Sequence, residues 1–203
     1  MRKWFACTLV LAGSFAVVAA GPRTFSAEPE RSRAMIEVGK SGAFSFAGHT
    51  HEVEAPLSTG VIHLDPEMPA RSDVRLEFNA AAMRVTGKGD PADDVPKVQE
   101  AMLGPQVLDV KTFPAITFES TSITARGAGS SLDLTVAGRM TIHGVTKPVT
   151  APVAVKIDGP ALTATGRFTV KQTEFGIKPI SVGGVVKVKD ELNITFTIAA
   201  RER

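Results

Sequence analysis

The sequence contains very few residues of three types, with one Cys, one Trp and no Tyr among its 203 residues. Cys7 and Trp4 both lie in the first ten positions, so the chain after residue 20 has none of the three. Disulfides, thiol catalysis and cysteine-based metal or iron–sulfur sites are therefore excluded from that part of the chain. Its aromatic bulk comes from Phe alone.

The chain after residue 20 also lacks an excess of either charge. Arg2 and Lys3 account for the whole net charge of +2, and the remaining 21 Lys and Arg balance 21 Asp and Glu. Proteins that bind nucleic acid or anionic membranes carry a basic excess. The balance indicates that nucleic acid is not a partner.

Residues 1–20 have the pattern of a secretory signal peptide. The basic pair Arg2 and Lys3 precedes an uncharged apolar stretch, and small side chains at Val18 and Ala20 precede the expected cleavage point. We predict cleavage after Ala20 and a periplasmic or secreted mature protein. About 17 uncharged residues are marginal for a membrane span, which leaves an uncleaved anchor as the alternative.

Residues 21–33 are polar, include two prolines and show no periodicity. This composition predicts a mobile leader after cleavage. We expect a single folded domain over 34–203, because no linker or composition change divides that range.

From Ala34 onward, apolar residues alternate with polar ones, which is typical of β-strands with one wetted face. The segment Leu162–Lys171 is the clearest case, and turn clusters such as Asp158-Gly159-Pro160 separate such segments and favour antiparallel pairing. About eight strands predict a sandwich or a closed barrel, and their length favours the barrel because closure removes exposed edges. The same alternation recurs at 44–46, 74–78, 132–136, 149–155 and 192–198.

Two local features depart from plain strands. Residues 94–105 place Val98, Ala101 and Met102 at helical spacing before Gly104-Pro105, which predicts a short helix. Gly144 predicts a chain reversal between two strands, with His143 as a turn residue.

Common catalytic motifs are missing from the sequence. It has no Gly-x-Ser-x-Gly elbow, no phosphate-binding Gly-x-x-x-x-Gly-Lys loop and no His-Glu-x-x-His. We therefore predict that the protein is not an enzyme.

Four segments together resemble the YceI family of periplasmic, lipocalin-like proteins, in sequence, order and spacing. They are FPAITFES at 113–120, VAGRMTIHGVTKPV at 136–149, QTEFGI at 172–177 and VKDEL at 188–192.

The resemblance implies an all-β fold, a single antiparallel eight-stranded lipocalin-like β-barrel with one short helix. It also implies a long apolar pocket that in some members holds an isoprenoid lipid, either a polyisoprenoid or an isoprenoid quinone. We expect that no cofactor is required. The chain departs from many members at 98–109, the segment that caps the barrel, and at His49-Thr50-His51.

The inward strand faces are expected to present several Phe side chains. A pocket for an isoprenoid tail and a filled, Phe-rich core both fit this pattern. The predicted ligand-binding residues of this kind are Phe46, Phe118, Phe168, Phe175 and Phe196.

His49 and His51 are the most specific candidates for a polar binding site. In an extended segment they point to one side with Cα atoms roughly 6.5 Å apart, so they fit half of a zinc or copper site. A third ligand would come from Glu52, Glu54, His63 or His143.

Contact with a ligand head group and no site role at all are the other interpretations of the two histidines. The leading hypothesis is an exported lipid carrier that transiently contacts a membrane. The alternatives are a metal or redox accessory protein that docks to a membrane electron carrier, and a structural barrel with a filled core. The sequence leaves the oligomeric state open.

Overall fold

The computed structural model describes residues 21–41, 50–126, 129–182 and 186–203. The predicted signal peptide, Phe46 and His49 lie outside these ranges, as does the strand predicted at 44–46. Within them the chain forms twelve strands and one α-helix. The elements of the first half are β1 (Arg23–Ala27), β2 (Arg33–Ser41), β3 (His51–Glu54), β4 (Leu57–Leu64), β5 (Asp73–Asn79), β6 (Arg84–Val85) and α1 (Val95–Leu103).

The second half consists of strands, most of them longer than those of the first. They are β7 (Ala115–Arg126), β8 (Ser131–Ile142), β9 (Val145–Asp158), β10 (Ala161–Lys171), β11 (Ser181–Val182) and β12 (Val186–Glu202). Among the described residues, no helix is long and apolar enough to cross a bilayer.

Eight of the strands close into an antiparallel barrel in the order β1-β4-β5-β7-β8-β9-β10-β12, with β1 pairing back onto β12. The predicted fold class is thus confirmed. The closure depends on β12, whose 17 residues pair with β10 on one side and with both β1 and β2 on the other. Three additional strands, β2, β3 and β6, extend the sheet from β12.

The N-terminal segment corrects the sequence prediction of a mobile leader over 21–33. Residues 23–27 form β1, which pairs with β4 and β12 and buries Phe25 completely. The Arg23 guanidinium makes a two-point ion pair with Glu202 of β12, with Nε 2.8 Å from Oε1. One inward side chain in five residues is too short a pattern to show alternation, yet Phe25 belongs to a buried core cluster with Leu162 and Ile198.

Three other local predictions are confirmed. α1 occupies residues 95–103, and the segment Leu162–Lys171 lies within β10. The β8–β9 turn has positive φ at both His143 (51°) and Gly144 (72°), the geometry of a type I′ hairpin. Phe113 packs edge-on against His143 with ring centroids 4.9 Å apart. A residue that is not part of the hairpin therefore helps to stabilise the turn.

β9 pairs with β10 along only part of its length. The ladder runs from Ala161↔Asp158 to Gly166↔Val153. Beyond it, β9 contains Pro148 and Pro152, which lack the N–H groups that a ladder needs.

Candidate functional site

The inward faces of the barrel strands enclose an apolar cavity. Its volume is about 210 Å³, measured as space for the centre of a water molecule, and one water needs roughly 10–15 Å³ on this measure. Ser72 and Gln172 are the only polar side chains among the described residues that line it. The interior is therefore an open, almost wholly apolar space, and the filled-core interpretation does not describe it.

Two clusters of buried residues form the wall of the cavity. One contains Phe25 of β1, Leu162 of β10 and Ile198 of β12. The other surrounds Phe175 and Ile142 and includes Leu108, which follows α1. Phe78, Phe118 and Phe196 pack against both clusters, so these three rings form the waist of the cavity.

Four of the five predicted Phe residues line the cavity: Phe118, Phe168, Phe175 and Phe196. Phe168 and Phe196 meet edge to face with centroids 6.2 Å apart. The sequence reasoning left Phe78 out of the predicted lining, although the alternation at 74–78 had already placed it on a strand.

The two polar side chains of the lining bond to backbone groups. Gln172 is 6% exposed, and its Nε2 donates to the Lys189 carbonyl at 2.7 Å. Ser72 Oγ accepts from the Asp65 N–H at 3.0 Å. The cavity itself thus presents little polarity to a ligand.

His51 lies just beyond the cavity lining, on the inward face of β3. Val53, two residues further along the strand, lines the cavity, and alternation places His51 on the same face. In the β2–β3 ladder His51 lies opposite Val38, another lining residue. His51 therefore marks the rim of the cavity.

The rim histidine is paired with a buried carboxylate that the sequence analysis missed. His51 Nδ1 lies 2.8 Å from Asp90 Oδ1, and the Asp90 side chain is 1% exposed. Asp90 Oδ2 is buried with no hydrogen-bond partner among the described residues. An unsatisfied buried polar group costs about 1–3 kcal/mol, so this arrangement favours a role other than stability.

The proposed third metal ligands are engaged elsewhere. Glu52 bonds Lys88 at 2.9 Å and Thr86 at 3.0 Å, and these hydrogen bonds, from Lys88 first, hold the pKa of Glu52 below its usual value. Glu54 lies 3.7 Å from Arg33, His63 pairs with Asp73, and His143 is in the β8–β9 turn. The described residues contain no group of three His, Cys, Asp or Glu that would hold a metal ion.

The segment around α1 covers part of the cavity. Met102, Val107 and Leu108 contribute to the lining, and the helix buries none of its residues fully. The Gln99 side chain fixes α1 to the β6 region, since Oε1 accepts from Val85 N–H and Nε2 donates to Met83 O, both at 2.8 Å. This clamp could not be predicted from the sequence, because a single Gln in a helix is most often a solvent-exposed residue.

The family model of the YceI-like domain matches residues 25–200. The chain belongs to this family. No curated protein sequence matches it.

Solved structures that share this YceI-like fold include the following three. Burkholderia cenocepacia BcnA is 21% identical with a TM-score of 0.61, over 85% of this chain and 98% of that one. A polyisoprenoid binding domain from Saccharophagus degradans, implicated in plant cell wall breakdown, is 8% identical with a TM-score of 0.60, over 88% and 98%. The Campylobacter jejuni YCEI protein is 11% identical with a TM-score of 0.52, over 100% and 99%.

The family match begins inside β1, in agreement with the ordered N-terminal strand. The segment 98–109 supplies the lining residues Met102, Val107 and Leu108. It therefore forms part of the wall of the cavity.

Proposed function

We propose that the protein is an exported binding protein that carries an amphipathic isoprenoid lipid of the polyprenyl or quinone type. The tail occupies the barrel cavity, and the head group stays at the polar rim near His51. The apolar cavity is the observation that carries this proposal, because it offers a tail a continuous surface along both clusters. The polyisoprenoid binding domain from Saccharophagus degradans, which shares the fold, supports the same ligand class.

Burial of the tail supplies the affinity. Each CH₂ group that leaves water gains roughly 0.8 kcal/mol, and a tail needs no polar partner in return. The cavity meets that condition, since its two polar side chains are already bonded to backbone groups. Specificity then depends on the rim.

Binding accounts for this site better than catalysis does. Among the described residues that line the cavity, none has an ionisable side chain, so the lining offers no general acid or base. The predicted signal peptide supports export, and loading would involve transient contact with a membrane. The lipid is cargo in this proposal, and no other cofactor is required.

The test is solvent extraction and mass spectrometry of protein exported by its native host and purified without detergent. We expect an isoprenoid lipid in a fixed ratio to protein. Metal analysis of the same sample tests the alternative that uses His49 and His51. An empty protein that binds no prenyl lipid, or one with stoichiometric zinc or copper and no lipid, would overturn the proposal.

Two variants on one strand make the test specific for the cavity. Ala164 lines the cavity, while its neighbour Thr165 is exposed on the outer face of β10. We expect Ala164→Phe to reduce bound lipid by occupying cavity space and Thr165→Phe to leave it unchanged. Circular dichroism of both variants confirms that the barrel has formed.

A further inference from the structure

The side chains at the rim of the cavity limit which lipid head groups can bind there. His51 and Asp90 stand 39 positions apart in the sequence, and their side chains meet where the inward face of β3 leaves the cavity. The Thr86–Asp90 turn is also held on β3 by three hydrogen bonds to Glu52, from the Lys88 and Thr86 side chains and from the Thr86 backbone N–H. The pair therefore has a fixed position relative to a tail in the barrel.

The contact with Asp90 determines what His51 can offer. An ionised carboxylate accepts hydrogen bonds but does not donate them, so in a neutral His51 ring the proton is on Nδ1, facing Asp90 Oδ1. Nε2 is then an acceptor, and no described residue bonds it. Asp90 adds a buried carboxyl group whose one described side-chain partner is His51.

We propose that His51 and Asp90 select a neutral hydroxyl head group, that of a polyprenol or a quinol, over a phosphate. A hydroxyl donates to Nε2, whereas a phosphate brings negative charge next to Asp90. This inference rests on the proposed lipid-binding function and specifies its ligand. By alternation, Lys40 lies on the same inward face of β2 as the lining residue Val38. Because a lysine ammonium group attracts phosphate, the test must measure the binding of a phosphate head group directly.

The chain contains a matched control for this pair. His63 Nδ1 lies 2.9 Å from Asp73 Oδ2, and both side chains are 43% exposed. His63 alternates with Ile62 and Leu64, which line the cavity, so it is on the outer face. His63→Leu removes the same chemistry from a position away from the cavity.

The experiment uses the chain without residues 1–20 and three probes with one tail: farnesol, farnesyl monophosphate and the hydrocarbon farnesene. Isothermal titration calorimetry suits this protein, because it lacks Trp and Tyr after residue 20 and so gives little fluorescence. We expect wild-type protein to bind farnesol about tenfold more tightly than the phosphate, the effect of one good hydrogen bond. His51→Leu should lower farnesol affinity about tenfold and leave farnesene binding unchanged, and Asp90→Asn should narrow the preference over phosphate.

Each outcome has a distinct meaning. Tighter binding of the phosphate, or an unchanged ratio of farnesol to farnesene affinity in His51→Leu, would overturn the head-group inference while leaving lipid binding intact. Failure to bind any of the three probes would instead count against the proposed function. Farnesene affinity reports the fold of each variant, and His51→Gln, which keeps an acceptor oxygen, should retain part of the preference. A ubiquinol and its quinone with a two-unit tail then separate a phenolic from an alcoholic hydroxyl.

Discussion

The Phe196 ring lies directly over Gly166 on the neighbouring strand, so that a Cβ atom at Gly166 would come 2.5 Å from Cζ of the ring. Phe118 has the same relationship with Gly138 on β8, again at 2.5 Å. Both rings line the cavity at its waist. Because the glycines have no side chain, the rings can lie against the sheet and leave the centre of the barrel open.

Alanine at Gly166 or Gly138 should therefore destabilise the barrel. The added Cβ would also meet backbone oxygens, Pro152 O and Glu119 O, each at 2.6 Å. A ring can move inward but the backbone cannot easily yield, so we expect a loss of about 1–3 kcal/mol from overpacking. Urea unfolding measures the change, and lipid capacity should fall with it. Gly21→Ala, which meets nothing within 4 Å, is the control; equal midpoints for all three variants would contradict this account.

Alanine substitutions at two Phe residues should separate packed core from cavity wall. Phe25 is fully buried and does not line the cavity, whereas Phe168 lines it and is half-buried. Phe25→Ala creates a new void and should cost about 3–5 kcal/mol. Phe168→Ala enlarges a space that already exists and should cost less. Urea denaturation of the ligand-free protein gives both values, and the reverse order would show that the cavity is packed in solution.

The ion pair that helps to close the barrel should make stability depend on pH. The hydrogen bond from Arg23 lowers the pKa of Glu202. A carboxyl with a lowered folded-state pKa stabilises the protein above its unfolded pKa, near 4.3, and that contribution disappears as pH falls through the folded value. Glu202→Gln should thus be less stable than wild type at pH 7, and thermal melts should show the gap closing in acid. The exposed Glu30→Gln is the control, and a gap that does not vary with pH would rule out this role for Glu202.

The sequence predicted those elements whose pattern is long enough to repeat. β8, β9, β10 and β12 alternate over 11 to 17 residues, and all were expected. The prediction of a mobile leader over 21–33 was wrong. A five-residue strand with one inward side chain has no repeating pattern that distinguishes it from a polar leader. The two-residue β6 was not predicted for the same reason.

The candidate site could be predicted in its apolar part only. Alternation assigned Phe118, Phe168 and Phe196 to inward faces because a strand's period of two carries that information locally. Asp90 could not be assigned, because its burial against His51 depends on how the turn between β6 and α1 folds back over β3. Two polar residues that are far apart in the sequence and meet in the fold produce no repeating pattern from which their contact could be predicted.

Gln99 should determine how firmly α1 is held over the cavity. Its side-chain amide bonds Val85 N–H and Met83 O as a neighbouring strand would, so Gln99→Ala leaves two backbone groups of the sheet edge without these partners. We expect a loss of about 1–3 kcal/mol and faster amide hydrogen exchange at Val85, measured by NMR. Gln99→Glu keeps the acceptor for Val85 and should be intermediate, and the exposed Gln106→Ala should match wild type. Unchanged exchange at Val85 in Gln99→Ala would mean that apolar contacts at Met102 and Leu108 hold the helix without the clamp. Because these two residues also line the cavity, a loosened α1 should release bound lipid faster than wild type does.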